Sequence, residues 1–213
     1  TATISGTTAV CINAPQPALT FTGAAGTAPY TFTYNINGGA NLTVTSVGTT
    51  ATVNAPTTTS GTFTYNLVSV QDASSTACVQ AQVGSATITV NPMPTATISG
   101  TTAVCVGAAS PTLTFTAANG TAPYTITYTI NGGANQTVTT VGTTATVTAP
   151  TGAAGTFTYS LVSVQDAGVT TCTQNQIGSA VITVNPLPTA TISGATAVCV
   201  GAAQPTVTFT GAA

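Results

Sequence analysis

The chain repeats itself every 94 residues. TATISGTTAVC at Thr1–Cys11 returns unchanged at Thr95–Cys105, and again with one substitution at Thr189–Cys199. Aligned without gaps, 1–94 and 95–188 share 70 of 94 residues. The repeat boundaries divide the chain into 1–94, 95–188 and the opening of a third copy at 189–213. Each full copy is close to a common domain size, so whatever one copy folds into, its neighbour must fold into as well. A chain holding part of a third copy is expected to be a window on a longer array. Arrays of near-copies serve length or reach more readily than they provide distinct pockets.

Within a copy the pattern is one of short alternating segments split by turn residues, as in an antiparallel sandwich. The expected strands are Ala2–Ser5 continued by Ala9–Ile12, then Ala18–Thr22, Tyr30–Asn37, Leu42–Val47, Ala51–Ala55, Gly61–Gln71 and Ser85–Val90. Gly38–Gly39 is expected to make a tight turn. In Gly61–Gln71 the apolar phase runs Phe63, Tyr65, Leu67 and then shifts to Val68 and Val70, which predicts a β-bulge near Asn66–Leu67. Nothing has a 3.6-residue period, and β-branched residues dominate. The expected fold class is all-β: tandem immunoglobulin-like antiparallel β-sandwich domains. The connectors Asn91-Pro-Met-Pro94 and Asn185-Pro-Leu-Pro188 resist both helix and central strand, so successive domains are expected to form a semi-rigid linear rod.

Composition limits the chemistry. Lys, Arg and His are absent, the only acids are Asp72 and Asp166, and Thr supplies 53 of 213 residues. Hydrophobic residues at 43% suffice for a core in each copy, so the chain is not a disordered Thr-rich tract. A net charge of −2 leaves no basic surface, and nucleic acid is excluded as a partner. No apolar run approaches the ~20 residues that span a bilayer, so no membrane insertion is expected in this stretch. Without His or Lys there is no triad, no Cys–His pair and no Schiff base. One Asp per copy cannot form a glycosidase pair. The chain is expected to be non-catalytic, with no catalytic residue and no cofactor. Calcium sites gather several carboxylates, and no Cys or His spacing suits zinc, so no metal site is expected. Asp72 and Asp166, both in QDA, are expected to cap a turn. Thr in TFT, TIT and TVT alternates as a half-buried strand requires, a simpler account than an ice-ordering ladder.

Cys11, Cys105 and Cys199 occupy one repeat position, and Cys78 and Cys172 another. Two thiols per copy in a charge-poor β protein suggest disulfides formed in an oxidising compartment. Two connectivities stand open. Bridges within domains would be Cys11–Cys78 and Cys105–Cys172. In an immunoglobulin-like sandwich, however, Cys11 near the A–B corner and Cys78 in the F–G loop lie at opposite ends, too far apart for a disulfide. The alternative is a bridge between domains, Cys11–Cys172, with Cys105 paired to a repeat beyond this stretch.

TAPYTFTYNINGG, GTFTYNLVSVQDA and NPLPTATISG resemble the PKD-like or immunoglobulin-like tandem repeats of giant surface proteins of Bacteroidetes, notably flavobacteria. The resemblance implies export by the type 9 secretion system, an extracellular cell-surface location, and kinship with gliding-motility adhesins that extend as filaments. It lends no catalytic residues. Together with the repeat identity, it implies a structural stalk whose partners are the neighbouring repeats of the same chain, other filaments, or a surface. Two other readings stand beside it. In one, each repeat binds a glycan through Tyr30 and Tyr34, or Tyr124 and Tyr128. In the other, short subunits complete one another by strand exchange.

Overall fold

A computed structural model of the chain describes residues 1–212. All regular structure among them is strand, with no helix. The first repeat holds β1 (Ala2–Ser5), β2 (Thr8–Cys11), β3 (Ala18–Gly23), β4 (Thr31–Ile36), β5 (Leu42–Thr45), β6 (Thr50–Asn54), β7 (Gly61–Gln71), β8 (Val79–Ala81) and β9 (Ser85–Asn91). The second holds β10 (Thr95–Ser99), β11 (Thr102–Cys105), β12 (Thr112–Ala118), β13 (Thr125–Ile130), β14 (Gln136–Thr139), β15 (Thr144–Thr148), β16 (Gly155–Gln165), β17 (Thr173–Asn175) and β18 (Ser179–Asn185). β19 (Thr189–Ser193) and β20 (Thr208–Ala212) pair as an antiparallel hairpin in the third.

Each full repeat is a two-sheet, immunoglobulin-like β-sandwich. In the first, β1-β3-β6 forms one sheet and β2-β9-β7-β4-β5 the other, with β8 added beside β7. In the second, the same places are taken by β10-β12-β15 and by β11-β18-β16-β13-β14, with β17 beside β16. The opening segment does not run on as one strand, as its sequence suggests. It pairs antiparallel with β3 through Ala2–Ser5, then crosses to the other sheet and runs parallel to β9 through Thr8–Cys11. Gly6 makes the crossing, at φ +115°, where a Cβ would stand 2.7 Å from the Ala18 carbonyl oxygen. Only glycine accepts both the torsion and the approach.

The core of the first repeat is the interleaving of alternate residues from the two sheets. Leu19 and Phe21 of β3 meet Phe32 and Tyr34 of β4, Tyr65 and Leu67 of β7, and Ile88 and Val90 of β9, all buried. Phe21 centres the aromatic cluster, with ring centroids 5.6 Å from Phe32 and 5.1 Å from Tyr34; Tyr34 in turn lies 6.1 Å from Tyr65. Burial raises the Tyr34 and Tyr65 hydroxyl pKa values above the ordinary tyrosine range. The bulge lies one residue later than the sequence suggests. Thr33 faces Ser69 and Tyr34 faces Leu67, which leaves Val68 as the extra residue. The extra residue returns Val70 to the buried face after Tyr65 and Leu67. The β4–β5 turn also moves by one residue: Asn37 and Gly38 take positive φ, and Gly39 N–H bonds to Ile36 C=O at 3.0 Å. Asn-Gly is the pair that such hairpin turns favour.

Phe21→Ala leaves a large void between the two sheets. It is expected to destabilise the first repeat by roughly 3–5 kcal/mol, seen as a lower urea midpoint, whereas the exposed Val83→Ala should leave the midpoint nearly unchanged.

Candidate functional site

The chain divides into two compact units that do not follow the repeat boundaries. One takes Thr1–Thr95 together with Ala118–Tyr124 and Val164–Gln174; the other takes Ala96–Ala117, Thr125–Ser163 and the residues from Asn175. Two loops encoded in the second repeat thus belong to the unit built by the first. The local reasons are specific.

The first repeat contributes Cys11, the last residue of β2, whose Cα partner on β9 is Asn91. Ile12 N–H continues the ladder by bonding to Asn91 C=O at 2.8 Å. Cys11 and Asn91 therefore stand side by side where the repeat ends. Against them lies the loop between β16 and β17. Asp166 shapes that loop: one carboxylate oxygen accepts the Cys172 N–H at 2.8 Å and the other accepts the Thr121 N–H at 3.1 Å. Gly120 passes so close that a Cβ there would stand 2.8 Å from the Asp166 Cβ. Tyr124 closes the neighbouring loop by donating its hydroxyl to Gly120 C=O at 2.7 Å. Asp166 and Cys172 are buried, at 6% and 1% exposure.

Two bonds join these parts. Cys11 and Cys172 form a disulfide, with Cα atoms 5.7 Å apart and 161 residues between them in sequence, inside the Cα range that disulfides span. Beside it, Asn91 Nδ2 donates to Thr170 Oγ1 at 2.8 Å. The bridge takes the cross-repeat connectivity. Neither Cys11–Cys78 nor Cys105–Cys172 forms, and Cys78, Cys105 and Cys199 are free and exposed. The reason is positional. Cys11 sits beside Asn91, where the first repeat ends, while Cys78 lines a surface recess with Thr1 and Ala24, where it begins. The two ends of one sandwich cannot meet at disulfide distance.

In the first repeat the corresponding loop has the same carboxylate arrangement. Asp72 Oδ1 accepts from Ser74 Oγ at 2.7 Å and from Cys78 N–H at 3.0 Å, and Oδ2 accepts from Thr27 N–H at 3.3 Å. The Ser74 hydroxyl, helped by the backbone N–H groups, holds the Asp72 carboxyl below the ordinary carboxylate range. Both aspartates thus cap the turn and orient the amide of the cysteine that follows. The signal for this lay in the two copies of the loop, QDASSTACVQ and QDAGVTTCTQ, where Asp, Thr and Cys persist while four other positions change. The Asn91–Thr170 bond had no such signal.

The tyrosines proposed to stack on sugars are core residues: Tyr30, Tyr34, Tyr124 and Tyr128 are all buried, and none offers a ring face to a ligand. Among the described residues, no three His, Cys, Asp or Glu side chains gather where a metal could be held.

No family model matches the chain, and no curated protein matches it. Solved structures do. A Ca2+-stabilised adhesin, described as helping an Antarctic bacterium reach out and bind ice, is 20% identical over 91% of this chain, with a TM-score of 0.50. This chain covers 52% of that structure, about half its length. The fibronectin(III)-like modules of Clostridium thermocellum CbhA are 15% identical, covering 87% of this chain and 95% of that one, with a TM-score of 0.33. A two-domain fibronectin type-III segment of chicken tenascin is 14% identical, covering 81% and 96%, with a TM-score of 0.34. At these identities the likeness is one of fold.

Mapping unreduced peptides is expected to recover Cys11 linked to Cys172. Reducing that bond should lower stability by roughly 2–5 kcal/mol, read as an earlier denaturant midpoint for the wild type and no change for Cys11→Ser. A second expectation concerns acid. Because the folded Asp72 pKa is depressed, its contribution to loop order is present above the unfolded value of about 3.9 and is lost as pH falls through the folded value. The Cys78 amide resonance should therefore titrate with a midpoint below 3.9, and Asp72→Asn should abolish the transition.

Proposed function

We propose that this chain is part of an extracellular, cell-surface stalk: a non-catalytic run of immunoglobulin-like repeats whose task is to span distance under load. The observation that carries the reading is the cross-repeat disulfide between near-identical repeats. A bond from Cys11 to Cys172 gives tension a covalent route past everything between them. Pulling on the chain ends loads the disulfide, and the hydrogen-bonded strands from Ile12 to Thr171 are shielded. The staple spans 161 residues while the repeat advances by 94. If every copy carried the bond, successive staples would overlap and no repeat would lie outside one.

Three further observations support the reading. A disulfide needs an oxidising compartment, which suits the cell surface. Solubility rests on hydroxyls and amides rather than charge, and the absence of Lys and Arg removes every site for trypsin-like proteases. The fold is shared with an adhesin described as Ca2+-stabilised; with two carboxylates in 213 residues, this chain would reach stiffness by covalent means instead. Export by the type 9 system, and service in a filament of the gliding-adhesin kind, follow from the sequence resemblance and form part of the proposal. Burial of the four tyrosines takes the glycan-stacking alternative below it.

Single-molecule stretching tests the mechanical core of the proposal. The bypassed stretch amounts to about 560 Å of extended chain. The oxidised chain, pulled by its ends, should not release this length at forces that unfold other sandwiches; with reductant present it should. Equal extension under both conditions would refute a load-bearing role.

A further inference from the structure

The two sulfurs of the Cys11–Cys172 bridge stand in different surroundings. Cys172 is buried, whereas Cys11, the last residue of β2, is half-buried and keeps part of its surface in solvent. Thr170 Oγ1 lies 3.4 Å from Cys172 Sγ. A disulfide sulfur carries no proton, so in this contact the hydroxyl donates and the sulfur accepts. The same oxygen accepts from Asn91 Nδ2 at 2.8 Å. Amide, hydroxyl and sulfur thus form one chain of hydrogen bonds that ends on Cys172 Sγ. The corresponding loop of the first repeat builds the same contact, Thr76 Oγ1 to Cys78 Sγ at 3.2 Å, so the place of the hydroxyl is set by the loop.

Thiol–disulfide exchange has a direction. A thiolate attacks one sulfur and the other departs as a thiolate; access to the first and stability of the second set the rate. Burial closes the approach to Cys172 Sγ. As the departing group, a buried thiolate is penalised unless it is hydrogen-bonded, and a hydrogen bond to an ionised acceptor is about twice as strong as a neutral one. Thr170 already supplies that bond, and donation from Asn91 polarises the hydroxyl that makes it. Asp166 carries the one side-chain charge of this loop, and its oxygens are turned to the N–H groups of Cys172 and Thr121. Access and leaving-group stability therefore select the same direction.

We propose that the junction is a directional exchange site for small thiols. Cys11 Sγ receives the incoming thiolate, and Cys172 leaves, and later returns, as the resolving thiolate held by Thr170 and Asn91. With glutathione as the probe, its thiol loses a proton to solvent and the thiolate attacks Cys11 Sγ. A new S–S bond forms there, the Cys11–Cys172 bond breaks, and its electron pair stays on Cys172 Sγ; there is no net oxidation. In the reverse step Cys172 attacks Cys11 Sγ and expels glutathione, which restores the bridge. The inference goes beyond the stalk reading and holds whether or not the bridge bears load.

The test uses the whole chain in a Cys78→Ser, Cys105→Ser, Cys199→Ser background, so that only the bridge reacts. The oxidised protein is incubated with glutathione, quenched in acid, alkylated and mapped. Glutathione is expected on Cys11 and the alkyl label on Cys172; glutathione on Cys172 in equal or greater yield would overturn the proposal. Because this adduct is read in the unsubstituted loop, it stands apart from any folding defect in a loop variant. The exchange rate then tests the hydroxyl, in variants that keep the parent denaturant midpoint when oxidised. Thr170→Val should slow exchange several-fold, and Thr170→Ser should restore it. A merely structural role predicts the opposite sign, since losing the Asn91–Thr170 bond would loosen the loop and open the bridge to faster attack. A rate that rises or stays level in Thr170→Val removes the leaving-group role, and the proposal with it.

Discussion

Everything in this molecule rests on alternation. With no Lys, Arg or His in 213 residues, side-chain ion pairs cannot contribute. What remains is apolar burial on one face of each strand, with hydroxyls on the other. Leu19, Phe21, Phe32, Tyr65 and Ile88 are almost wholly removed from water, while the intervening threonines line the other face of each strand. The price is register sensitivity, since a one-residue slip would turn the core outward. The Val68 bulge shows how the fold handles this: a single extra residue in β7 rephases Val70 onto the buried face without disturbing Tyr65 or Leu67.

The junction depends on that regularity. Cys11 can meet a loop from the next repeat because β2 runs parallel to β9 and ends beside Asn91. This in turn requires the first segment to leave one sheet and join the other at Gly6. The partner loop is shaped by a single carboxylate that accepts the cysteine's own amide. Asp72 and Asp166 are the only acidic residues in the chain, and each orients one thiol. In so charge-poor a sequence, the few charges that persist serve geometry.

Much of the sandwich was legible because its signals are local. β7 appears with the bounds that its composition suggests, and β9 differs only by including Asn91. The parts that were not legible involve partners distant in sequence. The split between β1 and β2 depends on which sheet each half pairs with, and both halves are equally strand-like. β8 has three residues, all exposed, and no alternation to reveal it. The Asn37–Gly38 corner was displaced by one residue because Gly38–Gly39 looked like the tighter turn, although Asn is one of the few residues besides Gly that adopts positive φ. Tyr30 and Tyr34 share a strand face in the sequence, but only packing against the opposite sheet reveals that this face is the core.

By itself the sequence determined the 94-residue unit, the all-β class, the absence of side-chain cations and the placing of two cysteines in each full copy. These follow from composition and period, which need no partner to be read. The tertiary structure decided which cysteines meet. Connectivity depends on which loop lies within reach of Cys11, and sequence spacing alone left Cys78 and Cys172 as alternatives for Cys11. A disulfide requires its Cα atoms within a few ångströms. The two ends of one sandwich fail that requirement, and the loop carrying Cys172, held by Asp166 and docked beside Asn91, meets it.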